Sequence, residues 1–202
     1  MTDTPLSPSL GSDIPSPRSR VSAGERLAQL ADVFSVEDFK TQQELSAKAA
    51  SVYLARWQAQ GLIARLGPRS GLWVNLSKVG SIGLDQRIQG VLRKHPDALL
   101  AGPSALALAG WIDAPEQPIV VVPQGSSKAQ FDGITILTRT PRVHAQLKEA
   151  SEVSESLGLP VVAPEVALAD WNAHADAPLT GVTEQQAGAA RQAAREREWA
   201  SK

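Results

Sequence analysis

The stretch SAKAASVYLARWQAQGLIARLGPRSGLWVNL, residues 46–76, decides how the chain is read. Ser46 can cap a helix, because its hydroxyl takes up a backbone N–H that the first turn leaves without a partner. A helix is expected from there to about Gln60. Ala47 or Ala50, Leu54 and Trp57 recur at the spacing of an inward face. Gly61 stands where a left-handed C-cap is wanted. Leu62 and Ile63 open a strand, Gly67-Pro68-Arg69-Ser70-Gly71 reads as a turn, and Leu72 to Leu76 returns as a strand of alternating character.

Toward the N-terminus, Ser22-Ala23-Gly24-Glu25 has the form of a capping box. Leu27, Leu30 and Ala31 follow at helical spacing, and Phe34 closes that first helix. Ser35 starts a second, with Glu37 and Asp38 well placed in its first turn and Val36 and Phe39 facing inward. A break follows over Gln43 to Ser46. Three helices and then a glycine-bearing hairpin is the order of a winged helix-turn-helix, here assigned to residues 21–78. Residues 1–20 are rich in Pro, Ser, Thr and Asp and lack periodicity, so they are expected to be a disordered tail. Arg18 and Arg20 at its end are either solvated or a short basic arm.

Charge placement is the strongest chemical signal. Formal net charge is only −1, so any affinity for nucleic acid must come from a local patch. From Leu45 to Leu84 there is no Asp or Glu, yet the stretch holds Lys48, Arg56, Arg65, Arg69 and Lys78. That places a cationic surface on the third helix and the hairpin, where phosphates lie in this motif. Lys48, Ser51 and Val52 are the outward residues at the helix N-terminal end, where base edges are read. Lys48 can read guanine or grip phosphate, Ser51 can donate to base or phosphate, and Val52 suits a thymine methyl. Arg56 is expected on the phosphate backbone, Arg69 at the turn on phosphate or in a narrow minor groove, and Arg65 on the hairpin strand. Trp57 reads as core. Tyr53 either fills the same core or offers its hydroxyl to a phosphate.

After the hairpin the texture changes. A helix over Leu84 to Lys94, strands at Ala98–Leu100, Ile119–Val122, Ile134–Leu137 and Pro160–Ala163, and helices at Ser104–Ala109 and Glu165–His174 make a mixed α/β unit over residues 82–180. A polar helix follows within residues 183–200, with Trp199 packed back or at an interface. The fold class expected is α+β.

Catalytic patterns are weak. The chain has no cysteine and three histidines, none in a zinc-binding spacing. Asp170 and Asp176 flank His174 without a metal pattern. Gly125-Ser126-Ser127 follows a strand as in nucleotidyltransferases, but Asp132 stands alone where paired acids are needed. No enzyme activity, metal or cofactor is expected. The absence of cysteine suits a reducing cytoplasm. The start lacks the pattern of a secretory signal, and no apolar run is long enough to cross a membrane.

In the second unit, Leu100-Ala101-Gly102-Pro103-Ser104-Ala105-Leu106-Ala107-Leu108-Ala109-Gly110-Trp111 resembles the G-x-SAL-x-x-x-G helix of AbiEi-type antitoxins. Ile119 to Pro123 and Ile134 to Arg139 fill the places of that family's two strands, the second ending in arginine. Leu159 to Asp170 is similar to its pE-x-AL-x-D segment. The resemblance implies a type IV antitoxin. Such a protein binds an inverted-repeat operator, with homodimers on double-stranded DNA, and represses its own operon. It also antagonises a nucleotidyltransferase-like toxin without needing direct contact. Ser104, Arg139, Glu165 and Asp170 match the family's motif positions. Each also has a structural reading: a helix cap, a strand-end salt bridge, a first-turn dipole partner, and a helix-surface or capping group. Two alternatives stand beside this. One is a transcription factor whose second unit senses a ligand or partner. The other is a metal-dependent nuclease or nucleotidyltransferase, which needs Asp132, Glu165 and Asp170 to converge.

Overall fold

Ser22 and Glu25 close a capping box at the start of α1 (Ala23–Gln29), with Glu25 N–H donating to Ser22 Oγ at 3.2 Å and Ser22 N–H to Glu25 Oε2 at 2.6 Å. The computed structural model describes residues 22–175 and 179–197. The expected tail, Arg18, Arg20, Asp176 and Trp199 lie outside the described residues.

The helix α1 does not run on to Phe34. Leu30 is already extended, and Val33–Ser35 forms a strand, β1, that pairs antiparallel with β3 (Leu72–Asn75). Val33 and Phe34 gain more from cross-strand partners Val74 and Trp73 than from ending a helix. Ser35 then caps α2 (Val36–Gln42) in a second box with Asp38. The next helix, α3, spans Ala47–Ala59 behind the Ser46 cap and buries Ala50, Leu54 and Trp57. Gly61 is left-handed at φ 69°, and Leu62 N–H returns to the Trp57 carbonyl at 2.9 Å. The strand β2 (Ile63–Arg65) completes an antiparallel sheet in the order β1-β3-β2.

The central strand, β3, was expected to alternate between buried and exposed residues, but all four are buried. The alternation survives as a choice between two cores. Trp73 joins Leu27, Phe34, Phe39 and Trp57 on the helical side. Leu72 and Val74 join Val33 and Leu66 on the other side, packed with Ile88, Val91, Phe131 and Leu159 from later in the chain. The first sheet is therefore sealed against the rest of the molecule. The approach there is very close. A methyl group on Gly67 would sit 2.1 Å from the Gln130 carbonyl oxygen, and one on Gly90 would sit 2.0 Å from Leu66 Cδ2.

A short helix, α4 (Leu76–Val79), leads to α5 (Leu84–Lys94). Near the end of α5, Arg93 donates to the Val33 carbonyl at 2.7 Å and pairs with Asp38 of α2. Burial alone would raise the Asp38 pKa, but its bonds from Ser35 and the Arg93 charge hold it below the usual value.

The remaining elements are β4 (Leu99–Leu100), α6 (Pro103–Leu108), β5 (Ile119–Pro123), β6 (Thr135–Arg139), α7 (Pro141–Glu149), β7 (Ser151–Val153), β8 (Pro160–Val162), α8 (Pro164–His174) and α9 (Glu184–Glu196). They build a five-stranded mixed sheet in the order β6-β5-β4-β8-β7. Sequence reading did not anticipate α4, α7 and β7. One face of this sheet, through Leu100, Val120 and Val122, shares the core with the first sheet. The other, through Leu99, Val121 and Val162, is covered by α6, α7, α8 and α9. Helices with one antiparallel and one mixed sheet place the fold in the α+β class. Among the described residues, no helix is long and apolar enough to cross a membrane.

Two polar side chains at the second sheet depart from expectation. Ser104 does not cap α6, whose cap is Gly102. Its Oγ instead accepts the Ile119 N–H at 2.7 Å and ties the helix to β5. Asp170 is neither a surface nor a capping group. Its side chain is 1% exposed and accepts from Arg139 at the end of β6, Nε to Oδ1 and Nη2 to Oδ2 both at 2.9 Å. Arg139 is thus the strand-end salt bridge expected of it. Glu165 lies in the first turn of α8, as expected.

Three consequences can be measured. Gly67→Ala should lower stability in urea unfolding by about 2–3 kcal/mol, because a methyl group overlaps Gln130 backbone. Gly61→Ala, whose site is open, should lose only the left-handed penalty of about 1–2 kcal/mol. Equal losses would contradict the close seam. Arg139→Leu strands a buried carboxylate and should cost about 3–5 kcal/mol, whereas Arg139→Leu with Asp170→Leu should cost less than the two single changes summed. Strict additivity would show that the pair is not coupled. His95 is buried beside Phe131, and neither ring nitrogen has a partner among the described residues. His144 is buried too and donates from Nε2 to the Asp97 carbonyl at 2.8 Å. Burial holds both imidazoles below 6.5, aided at His95 by the Lys94 charge. Both stay neutral in the folded chain where the unfolded chain takes up a proton. Stability should therefore be complete above about pH 6.5 and fall as pH drops from there toward the depressed values. A melting temperature that stays flat from pH 8 to 5 would contradict this.

Candidate nucleic-acid interface

The helix α3 presents two faces with different chemistry. Its inward face is an aromatic and aliphatic wedge. Phe39 of α2 meets Trp57 with ring centroids 4.9 Å apart, and Tyr53 stands edge-on to Phe39 at 6.2 Å. Tyr53 fills the core margin, with the Arg26 guanidinium 5.3 Å over its ring. Trp57 is core, as expected.

Its outward face carries Lys48, Val52 and Arg56, one helical turn apart in each step. Lys48 and Arg56 are exposed and form no ion pair among the described residues. Val52 lies between them, 63% exposed. With Ser46, Ala49 and Tyr53 they border a shallow groove of about 490 Å³. Neighbouring acids on α2 are already committed: Glu37 to Lys40 at 2.8 Å, and Asp38 to Arg93. Glu44, in the turn before Ser46, is the nearest exposed carboxylate in sequence. Lys48 and Arg56 are the two charged residues that line the groove, and no carboxylate is among its lining residues.

Ser51 is exposed, but its hydroxyl donates to the Ala47 carbonyl at 3.0 Å. In this geometry it offers an outside partner only lone pairs, so the expected donor is an acceptor. Such back-bonding is common for serine within helices.

The hairpin cations separate from this groove. The Arg65 guanidinium lies 5.0 Å over the Trp73 ring, which limits its reach while keeping its charge exposed. Lys78 donates to the Leu30 carbonyl at 2.6 Å and secures α1 to α4. Arg69 is exposed at the turn, but the turn does not stand clear of the body. Ser70 is buried, donating to the Gly67 carbonyl and accepting from Leu72 N–H, both at 3.1 Å. Arg69 lines a different groove of about 850 Å³, shared with Lys128 and Ser126, with Ile134 and, from β6, Ile136 also in its lining. The structure therefore brings Lys48, Val52 and Arg56 together, sets Ser51 beside them as an acceptor, and leaves Arg65 and Arg69 outside the lining of that groove. Sequence reading missed Lys128. It lies far from the basic stretch and shares a groove with Arg69 because the turn packs against the loop at Gln130 and Phe131.

The acids needed for a metal centre do not converge. Asp170 is held by Arg139, with His174 Nδ1 3.1 Å from its Oδ1. Among the described residues, no three His, Asp or Glu side chains are grouped to hold an ion.

No protein-family model matches the chain, and no curated protein matches it. Among solved structures, the crystal structure of the RV2827C protein from Mycobacterium tuberculosis is similar, with a TM-score of 0.53 at 16% sequence identity. The likeness covers 74% of this chain and 58% of that one, so the chain spans little more than half of its neighbour's length. At that identity, what the two share is the fold.

Proposed function

We propose that residues 21–78 are a winged helix-turn-helix that binds double-stranded DNA, and that the chain is a repressor of its own operon. The observation that carries this reading is the outward face of α3, where two cations without an ion-pair partner among the described residues bracket an exposed valine. A cation–apolar–cation stripe on one face of a capped helix suits a duplex groove, with charge for the phosphates and a methyl-sized contact for a base. The order helix, strand, two helices and hairpin, with β1-β3-β2 pairing, also supports it.

The roles follow from position. Lys48, Ser51 and Val52 lie toward the N-terminal end of α3, the end that enters the major groove in this motif. Val52 contacts a thymine methyl, and Ser51, as an acceptor, takes the amino group of adenine or cytosine. Lys48 grips guanine or phosphate. Arg56, further along, takes backbone phosphate. Arg65 and Arg69 add charge toward flanking phosphates. The antitoxin role, countering a nucleotidyltransferase-like toxin and binding an inverted repeat as a homodimer, is supported by the resemblance of residues 100–111, 119–123, 134–139 and 159–170. No catalytic residue enters this reading.

The test is fluorescence anisotropy on a duplex from the upstream operator region, over a salt series. Lys48→Ala with Arg56→Ala should weaken binding at least tenfold. The slope of log affinity against log salt should shrink by about one with Lys48 on guanine and about two with Lys48 on phosphate, near 0.9 for each phosphate left without its cation. Val52→Ser should leave the slope unchanged and relax preference at one position. Unchanged affinity and slope in the double variant would overturn the reading. Growth rescue on co-expression with the neighbouring gene's product checks the antitoxin role.

A further inference from the structure

A recess of about 210 Å³ opens between α5 and α6. Ten residues line it, and Ser104 is the sole one with a polar side chain. Leu84 and Ile88 of α5, Leu108 of α6, Pro115 and Leu157 supply most of its apolar wall. At the mouth, Leu84 and Leu108 are 40% and 56% exposed. Leaving large aliphatic side chains in water is unfavourable by roughly 25 cal/mol for each Å², and here two of them converge on one hollow.

Ser104 adds an independent sign. The residue is 6% exposed. Its Oγ accepts the Ile119 N–H, and its own proton has no acceptor among the described residues. The Oγ is thus satisfied as an acceptor, Ser104 lines the recess, and the hydroxyl proton is what it has left to offer there. Among the lining side chains only Ser104 can hydrogen-bond a water, whereas an ordered water wants two to four polar partners. Apolar cavities of about 150 Å³ take up benzene-sized molecules, so a hollow of this volume suits one ring.

We propose that the α5–α6 recess is a binding site for a small, uncharged, ring-sized apolar molecule that carries one hydrogen-bond acceptor for the Ser104 hydroxyl. A carboxylate or ammonium is rejected because nothing in the lining offsets its desolvation. Proline on the wall and two helices on the flank preform the hollow, so little ordering entropy opposes binding. This site is independent of the α3 groove, and it stands whether or not the chain binds DNA.

The test uses full-length protein with methyl-labelled Leu, Ile and Val, followed by NMR, and cyclohexanone as probe. Saturable shifts are expected at Leu84, Ile88, Leu108 and Leu157, with Val52 and Val153 unmoved. Benzene, which lacks a lone pair for Ser104, should bind about fivefold more weakly, the worth of one net hydrogen bond. Cyclohexanecarboxylate should bind at least tenfold more weakly. Ala107→Phe, which fills the recess, should abolish the shifts while the rest of the spectrum stays folded. If that variant fails to fold, the three probes on the unaltered chain still decide. The proposal is overturned by absence of saturable shifts, by equal shifts at Val52 and Val153, or by affinities that ignore charge and acceptor. It is also overturned if sedimentation equilibrium shows a dimer that the probe dissociates, because the recess would then hold a side chain of a second copy.

Discussion

The molecule depends on one strand being buried on both sides. Four residues of β3 send Trp73 into the helical core and Leu72 and Val74 into the core shared with the second sheet. A three-stranded sheet with a wet outer face would leave α1, α2 and α3 as a small, marginal cluster, since small cores bury too little surface to be robust. Covering that face enlarges the core and fixes geometry. The hairpin turn rests on Gln130 and Phe131, and glycine at position 67 is what allows the two backbones to approach. Arg93 then pins the β1 edge from the far side of the seam.

With the inward face of α3 held by Trp57, Phe39 and Leu54, its outward face has no structural task. Among the described residues, Lys48 and Arg56 hold no ion-pair partner, and Val52 belongs to no core cluster. The other basic residues of the same stretch differ in this respect. Lys78 is spent on a carbonyl, Arg65 rests on an indole, and Arg69 belongs to a groove of the second sheet. Charge counted along a sequence treats these five alike, but packing separates them.

That separation also explains what could be read from the sequence and what could not. Caps are local, and Ser22, Ser35 and Ser46 each begin a helix where their spacing to the next turn says they should. The α3 stripe is local too, because Lys48, Val52 and Arg56 follow from one helical period. The strand β1 is not local. Val33 and Phe34 look like the end of a helix until Val74 and Trp73, some forty residues away, are known to lie beside them. The helix α7 is signalled by Thr140 before Pro141, a cap followed by a first-turn proline, but the short apolar content between β6 and β7 hides it. Asp170 reads as a surface residue because nothing in its own helix shows that Arg139 arrives from β6. Lys128 is invisible for the same reason. Arg69 borders the same groove because its turn packs on the loop at Gln130 and Phe131.

The shared strand also bears on how this chain can be divided. Cutting it near residue 80 would uncover Val33, Leu66, Leu72 and Val74 on one piece and Ile88, Val91 and Phe131 on the other. Neither piece is a self-contained cassette. A recombination event that moved the helical unit onto a new partner would carry a sticky apolar flank with it. The two portions therefore share one interior, each residue at the junction answering to neighbours far along the chain.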